Sequence, residues 1–189
     1  MSNTRQNIIN AAVVVFTDDL SANMETISER AGVTRRTLHR IFSDRNSLLE
    51  ACKQEMNNVC KEAMNTAYNS SSEPVKQLEQ MLYAGIDCNY KYAFLNKLQQ
   101  RVLPTLISEH DDPNDDDVKA KWHLLITDLQ RKHIISERLT PHWIFFLFDG
   151  MITVTIAALE SGDVARNDIK KFAWYSFSKS IGIIPVKND

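Results

Sequence analysis

Glycine and proline are scarce. Each occurs five times in 189 residues, and long stretches contain neither, which leaves few tight turns and room for long helices. No segment sustains period-two alternation of apolar and polar residues, so a half-buried sheet is excluded and an all-α chain is expected. The three cysteines, Cys52, Cys60 and Cys88, form no CxxC pair and no zinc-like spacing. Reduced, structural thiols in a cytoplasmic protein are the expectation. The most apolar run, Trp143 to Leu159, is shorter than a comfortable membrane span and carries Asp149 in its middle, so a buried helix fits it better. Residues Ser2 to Asn7 are polar and do not read as a signal peptide. None of His39, His110, His123, His133 and His142 falls in an HExxH pattern, and GxSxG and glycine-rich phosphate loops are missing. An enzyme is not expected, nor is a metal or a cofactor.

What is present is an ordinary globular composition, 43% hydrophobic and 24% charged, with an uneven charge distribution. The formal net charge is −2, yet the stretch from Arg30 to Arg45 holds Arg30, Arg35, Arg36, Arg40 and Arg45 against Asp44 alone. A local excess of that kind marks an anion-binding face, or else a solvated helical face.

Ile8, Ala11, Ala12, Val15 and Phe16 have the spacing of an amphipathic helix over residues 4 to 17. Asn23 is placed to cap a short helix from Met24 to Ala31, and Gly32 to end it. Thr34 is placed to cap the next, Arg35 to Phe42, and Ser43 a fourth that continues to about Asn69. Pro74 starts a helical stretch reaching Ile107, with a break near Asn89 to Tyr92 and a kink at Pro104. Glu109 to Asp117 reads as an acidic loop, and a helix from about Asp117 to Ile135 follows. Thr140 and Pro141 open a helix running to Glu160, Ser161-Gly162-Asp163 stops it, and Asn167 is placed to cap the last, from about Asp168 to Ile181. This makes about nine helices.

A helix-turn-helix needs two short helices crossing over a turn with a permissive residue and an apolar plug. Gly32 and Val33 supply both. Ile27, Ala31, Leu38 and Ile41 or Phe42 give the apolar face that locks the crossing. Arg35, Arg36, Thr37, His39 and Arg40 remain outside, mostly long donors suited to a major groove and its flanking phosphates. The competing role for such arginines is an ion pair with a neighbour, for example Arg30 with Glu29 or Glu25.

Ala11-Ala12, Phe16 and the run Ile27-Ser28-Glu29-Arg30-Ala31-Gly32-Val33-Thr34-Arg35-Arg36-Thr37-Leu38-His39-Arg40-Ile41-Phe42-Ser43-Asp44-Arg45-Asn46-Ser47-Leu48-Leu49 resemble the N-terminal domain of TetR-family transcriptional regulators. Four features depart from the usual pattern. Ser28 stands where Ala is common, His39 where a Tyr usually contacts phosphate, and Arg45 where Lys is usual. The loop between Phe16 and Ile27 is also about two residues shorter and lacks its usual Gly. The resemblance implies phosphate contacts from Thr34, His39 and Arg45, and base-edge contacts from Arg35, Arg36, Thr37 and Arg40.

It implies further that residues 1–49 form a three-helix DNA-binding domain, and that 50–189 form a helical effector-binding and dimerisation domain. The first of the last two helices carries Trp143, Ile144, Phe146, Leu147, Phe148, Met151, Ile152, Val154, Ile156, Ala157 and Leu159, apolar nearly all round, and is expected to be covered on several sides. The second carries Ile169, Phe172, Ala173, Tyr175, Phe177 and Ile181, with Trp174 on another face. In the family such helices pair with their symmetry mates as a four-helix bundle; an ordinary intramolecular core would use the same residues. Candidates for an effector pocket are Tyr90, Phe94, Trp122, His123 and Asp149, with Tyr83 and Tyr92 as further aromatics, and each of them could equally be packing. Asp149, in so apolar a helix, must find a partner or shift its pKa. The expected function is a homodimeric, ligand-responsive repressor of a palindromic operator, binding double-stranded DNA and a small-molecule effector. The alternative is a helical module that contacts protein and not DNA.

Overall fold

The computed structural model describes residues 2–88, 91, 94, 95, 97, 98 and 116–183. Among these every regular element is helical: α1 (Ser2–Asp18), α2 (Met24–Arg30), α3 (Arg35–Ile41), α4 (Arg45–Asn69), α5 (Pro74–Cys88), α6 (Asp116–Arg131), α7 (Pro141–Ser161) and α8 (Arg166–Ser180). The chain is all-α, as the lack of period-two alternation predicts. The expected break near Asn89 to Tyr92, the kink at Pro104 and most of the acidic loop lie outside the described residues. The chain forms two compact units, Met1–Cys60 with Tyr90–Ser108, and Lys61–Asn89 with Glu109–Asp189.

Helix starts follow the local chemistry of side-chain acceptors. Asn23 accepts from the N–H groups of Glu25 and Thr26, Thr34 from Thr37, and Thr140 from Trp143. Two expected caps differ. The α4 start is capped by Asp44 and not by Ser43: Ser47 N–H donates to Asp44 Oδ1 at 2.8 Å, and Asp44 N–H reaches back to Ser47 Oγ at 3.3 Å. A carboxylate is the better acceptor at the positive end of a helix, and Ser43 instead donates its hydroxyl to Asp44 Oδ2. The Ser47 backbone N–H and the Ser43 hydroxyl hold the Asp44 carboxyl below the ordinary carboxylate range. This cap therefore contributes stability above the ordinary carboxylate pKa and loses it as pH falls through the lowered value. The last helix begins at Arg166, with Ala165 at the N-cap and no side-chain cap bond, so Asn167 lies inside its first turn.

In the first unit Ile8, Ile9, Ala12, Val13 and Phe16 of α1 meet Ile27 of α2, Leu38 and Phe42 of the α3 end, Leu48, Cys52 and Met56 of α4, and Phe94. Cys52 is fully buried, and burial pushes its thiol up to about 12. The second unit is built on Leu78, Leu82 and Ile86 of α5, Trp122, Ile126 and Leu129 of α6, the stripe Ile144, Phe148, Ile152 and Ile156 of α7, and Ile169, Ala173 and Phe177 of α8. The Phe148 and Phe177 rings meet edge-on at 5.5 Å. With 21 residues and a mean hydropathy of 1.7, α7 has the length and composition of a membrane span. Its buried stripe explains that composition only in part. The expectation of a helix covered on several sides holds for one face, because Trp143, Phe146 and Val154 on α7 are 55%, 53% and 64% exposed.

The end of α6 comes earlier than expected. His133 takes φ 56°, its N–H bonds to Gln130 O at 2.9 Å, and Ile134 N–H closes back on Leu129 O at 3.0 Å. This is a glycine-type helix stop occupied by a histidine, held from outside by the Gln130 amide donating to the Ser136 and Leu139 carbonyls. Left-handed geometry costs an L-residue about 1–2 kcal/mol and a β-branched one more. His133→Gly should therefore raise Tm and His133→Val lower it, each by about 2–4 °C for roughly 1 kcal/mol in a chain of this size. The reverse order in thermal melts contradicts the strained stop.

Candidate nucleic-acid interface

The geometry of α2 and α3 follows from one turn. Gly32 adopts φ +65°, which lets its N–H bond to Glu29 O at 3.1 Å and Val33 N–H to Ser28 O at 3.0 Å. The last carbonyls of α2 are thereby satisfied and the chain is turned sharply. Val33 packs half-buried on the core, and the Asn7 side chain donates to Ala31 O at 2.8 Å, tying the turn to α1. Ser28 is buried, and its hydroxyl is satisfied by Glu25 O at 2.9 Å, so a polar residue is tolerated at that packed position.

From this turn α3 leaves with Leu38 fully buried, Phe42 buried behind it and Ile41 half-buried. Arg35, Arg36, His39 and Arg40 are exposed, as is Thr34. Among the described residues no ion pair engages Arg30, Arg35, Arg36 or Arg40, so the expected Arg30 pairing with Glu29 or Glu25 does not form. Thr37 is half-buried, and its hydroxyl shares a 2.9 Å hydrogen bond with that of Thr34. A helix that buries one apolar edge and presents guanidinium groups on the other is chemically equipped to bind a polyanion.

Arg45 has a second task that its sequence position does not reveal. Its Nε donates to Ala22 O at 3.0 Å, its Nη2 donates to Leu20 O, and its guanidinium lies 5.0 Å from the centroid of the Phe16 ring. It thus anchors the loop between α1 and α2 while retaining other donors. Lys97 does a similar job, with Nζ at 2.5 Å from Thr17 O and 3.1 Å from Asp18 O at the end of α1. Arg5 is a further cation missed in the sequence reading; it lies 5.5 Å over the Phe42 ring, beside the end of α3. Local pattern carried no signal for either, since both depend on packing between distant segments.

The effector-pocket candidates separate. Trp122 and His123 line one crevice of about 210 Å³ in the second unit, together with Lys119, His142 and Phe145. Asp149 is half-buried on α7 and does not line that crevice. Phe94 is fully buried in the core of the first unit, where packing accounts for it. Tyr90 lies outside the described residues.

Residues 8–52 match the family described as bacterial regulatory proteins, tetR family. The chain is 30% identical over 84 residues to the HTH-type transcriptional repressor LfrR of Mycolicibacterium smegmatis, a match covering 44% of each chain. In fold the likeness is longer. The crystal structure of LfrR with proflavine matches at TM-score 0.71 and 22% identity over 98% of both chains. The ketosteroid transcriptional regulator KstR2 of Mycobacterium tuberculosis matches at TM-score 0.74 and 10% identity, over 94% of this chain and 93% of that one.

If Arg45 anchors and Arg36 reads, the two arginines should behave differently. Arg45→Ala should lower thermal stability, weaken binding to every DNA sequence and reduce the salt slope by about one. Arg36→Ala should leave stability within about 0.5 kcal/mol and cost about 1–3 kcal/mol at one half-site position only. Fluorescence anisotropy on specific and random duplexes, with melts of each variant, measures both; equal losses from the two changes would remove the division.

Proposed function

We propose, from the match of residues 8–52 to the family of bacterial regulatory proteins, tetR family, that the chain is a homodimeric transcriptional repressor of a palindromic operator, released by a small-molecule effector. The carrying observation is the exposed edge of α3, where Arg35, Arg36, His39 and Arg40 stand on a helix fixed by Leu38 and Phe42. In this reading residues 1–49 bind DNA, and 50–189 bind effector and partner. Arg35, Arg36, Thr37 and Arg40 meet base edges, and Thr34, His39 and Arg45 meet phosphates. With its hydroxyl shared with Thr34, Thr37 contributes chiefly its methyl, which suits a thymine methyl.

One such helix reads a short half-site, and a two-fold operator requires a second copy. The apolar residues left open on α7, with Phe172 and Tyr175 on α8 at 56% and 64% exposure, support pairing of the last two helices with their symmetry mates. An exposed apolar face of this kind is otherwise a liability for a soluble chain. The repressor role follows the likeness to the transcriptional repressor LfrR, and the response to a small molecule follows that relative's complex with proflavine. In the dimer, effector binding shifts the two readers away from the separation of one helical turn of DNA.

The duplex upstream of the protein's own coding sequence is the first probe. The wild-type chain should sediment as a dimer and shift this duplex. Val154→Glu should sediment as a monomer and lose about tenfold or more in affinity, since a charge cannot be buried unpaired in that face. A monomeric wild type, or a Val154→Glu variant that binds as tightly, contradicts the dimer. No shift at low salt points instead to a helical protein-interaction module.

A further inference from the structure

The crevice between α6 and α7 has an unusual set of lining groups. Trp122 is its one buried residue, 3% exposed, and its indole Nε1 is buried with no hydrogen-bond partner. A buried donor left unpaired is costly and rare in a native fold. The other described lining residues are Phe145, edge-on to the indole at 5.4 Å, His123, whose ring meets the indole edge-on at 5.5 Å, His142 and Lys119. Among the described lining residues every polar side chain can donate a hydrogen bond and none is a carboxylate. His142 belongs to the first turn of α7, a 21-residue helix whose start carries Thr140 as cap and Pro141 at its first turn. The positive end of that helix adds to the same sign of potential.

We propose that this crevice is the effector site and takes a compact aromatic carboxylate, its ring against Trp122 and Phe145 and its acid group accepting from Trp122 Nε1 with Lys119 and His142 about it. The proposal rests on the effector-responsive reading above and names the ligand class for it. An apolar wall with converging donors selects a ligand with a flat apolar body and one acceptor group. A neutral analogue keeps the ring contact and loses the charge-assisted bonds. A cation of similar shape meets no carboxylate among the described lining residues. The expected ligand is therefore opposite in charge to the proflavine carried by the LfrR relative.

The test uses the full chain and three isosteric probes: 1-naphthoate, 1-naphthamide and 1-naphthylmethylammonium. Calorimetry should show naphthoate binding about tenfold or more tightly than either analogue. The Trp122 indole N–H resonance, assigned by its loss in Trp122→Phe, should move downfield with naphthoate only. Lys119→Gln should weaken naphthoate by about fivefold or more with the circular dichroism spectrum unchanged, which separates ligation from misfolding. Equal binding of the ammonium probe, a stationary Trp122 resonance, or no naphthoate binding each overturns the ligand class. Operator binding measured without any probe tests the regulator reading separately, so the two can fail independently.

Discussion

The reading end of this protein depends on one backbone constraint, the left-handed turn at Gly32. Because Gly32 sits at φ +65°, Val33 N–H can close on Ser28 O and the chain can leave α2 at a steep angle without an unsatisfied carbonyl. The direction of α3 follows, and with it the division of that helix into a buried edge at Leu38 and an exposed edge of arginines. The surrounding contacts reinforce the same geometry. Asn7 holds the turn from α1, and Arg45 and Lys97 hold the end of α1 and the loop after it. The three-helix reader is short, and it is braced by side chains from well beyond it in sequence.

The second unit is governed by a different imbalance. Among the described residues the stripe of α7 through Ile144, Phe148, Ile152 and Ile156 is covered, while Trp143, Phe146 and Val154 stand exposed. The open face carries large side chains at helical spacing and continues onto α8. In the proposed dimer these two helices would finish their burial on a second copy, which would couple the oligomer to the fold. The crevice lined by Trp122 opens near the first turn of the same helix, so the proposed ligand and the proposed partner would share an element.

Much of this was legible in the sequence, for physical reasons that can be named. Asn23, Thr34 and Thr140 announced their helices because short polar acceptors before an amphipathic run have little other use. Gly32 announced the turn because few residues take positive φ at low cost. Where two acceptors stood side by side, as Ser43 and Asp44 do, local pattern did not distinguish them. The stop at His133 was hidden because a histidine does there what a glycine usually does. Phe94 looked like a ligand candidate because an aromatic residue has the same appearance in a core and in a pocket. The bracing by Arg45, Lys97 and Arg5 depends on packing across tens of residues and left no local trace.

In the proposed reading the exposed edge of α3 and the start of α4 form the surface that meets DNA. Hydrogen exchange of the full chain, with and without an operator duplex, is the decisive measurement. Slower exchange should appear in peptides covering residues 34 to 47 when operator is added, and much less with a scrambled duplex at the same salt. Unchanged exchange across that stretch under conditions of saturated binding, or protection confined to α7 and α8, would contradict it.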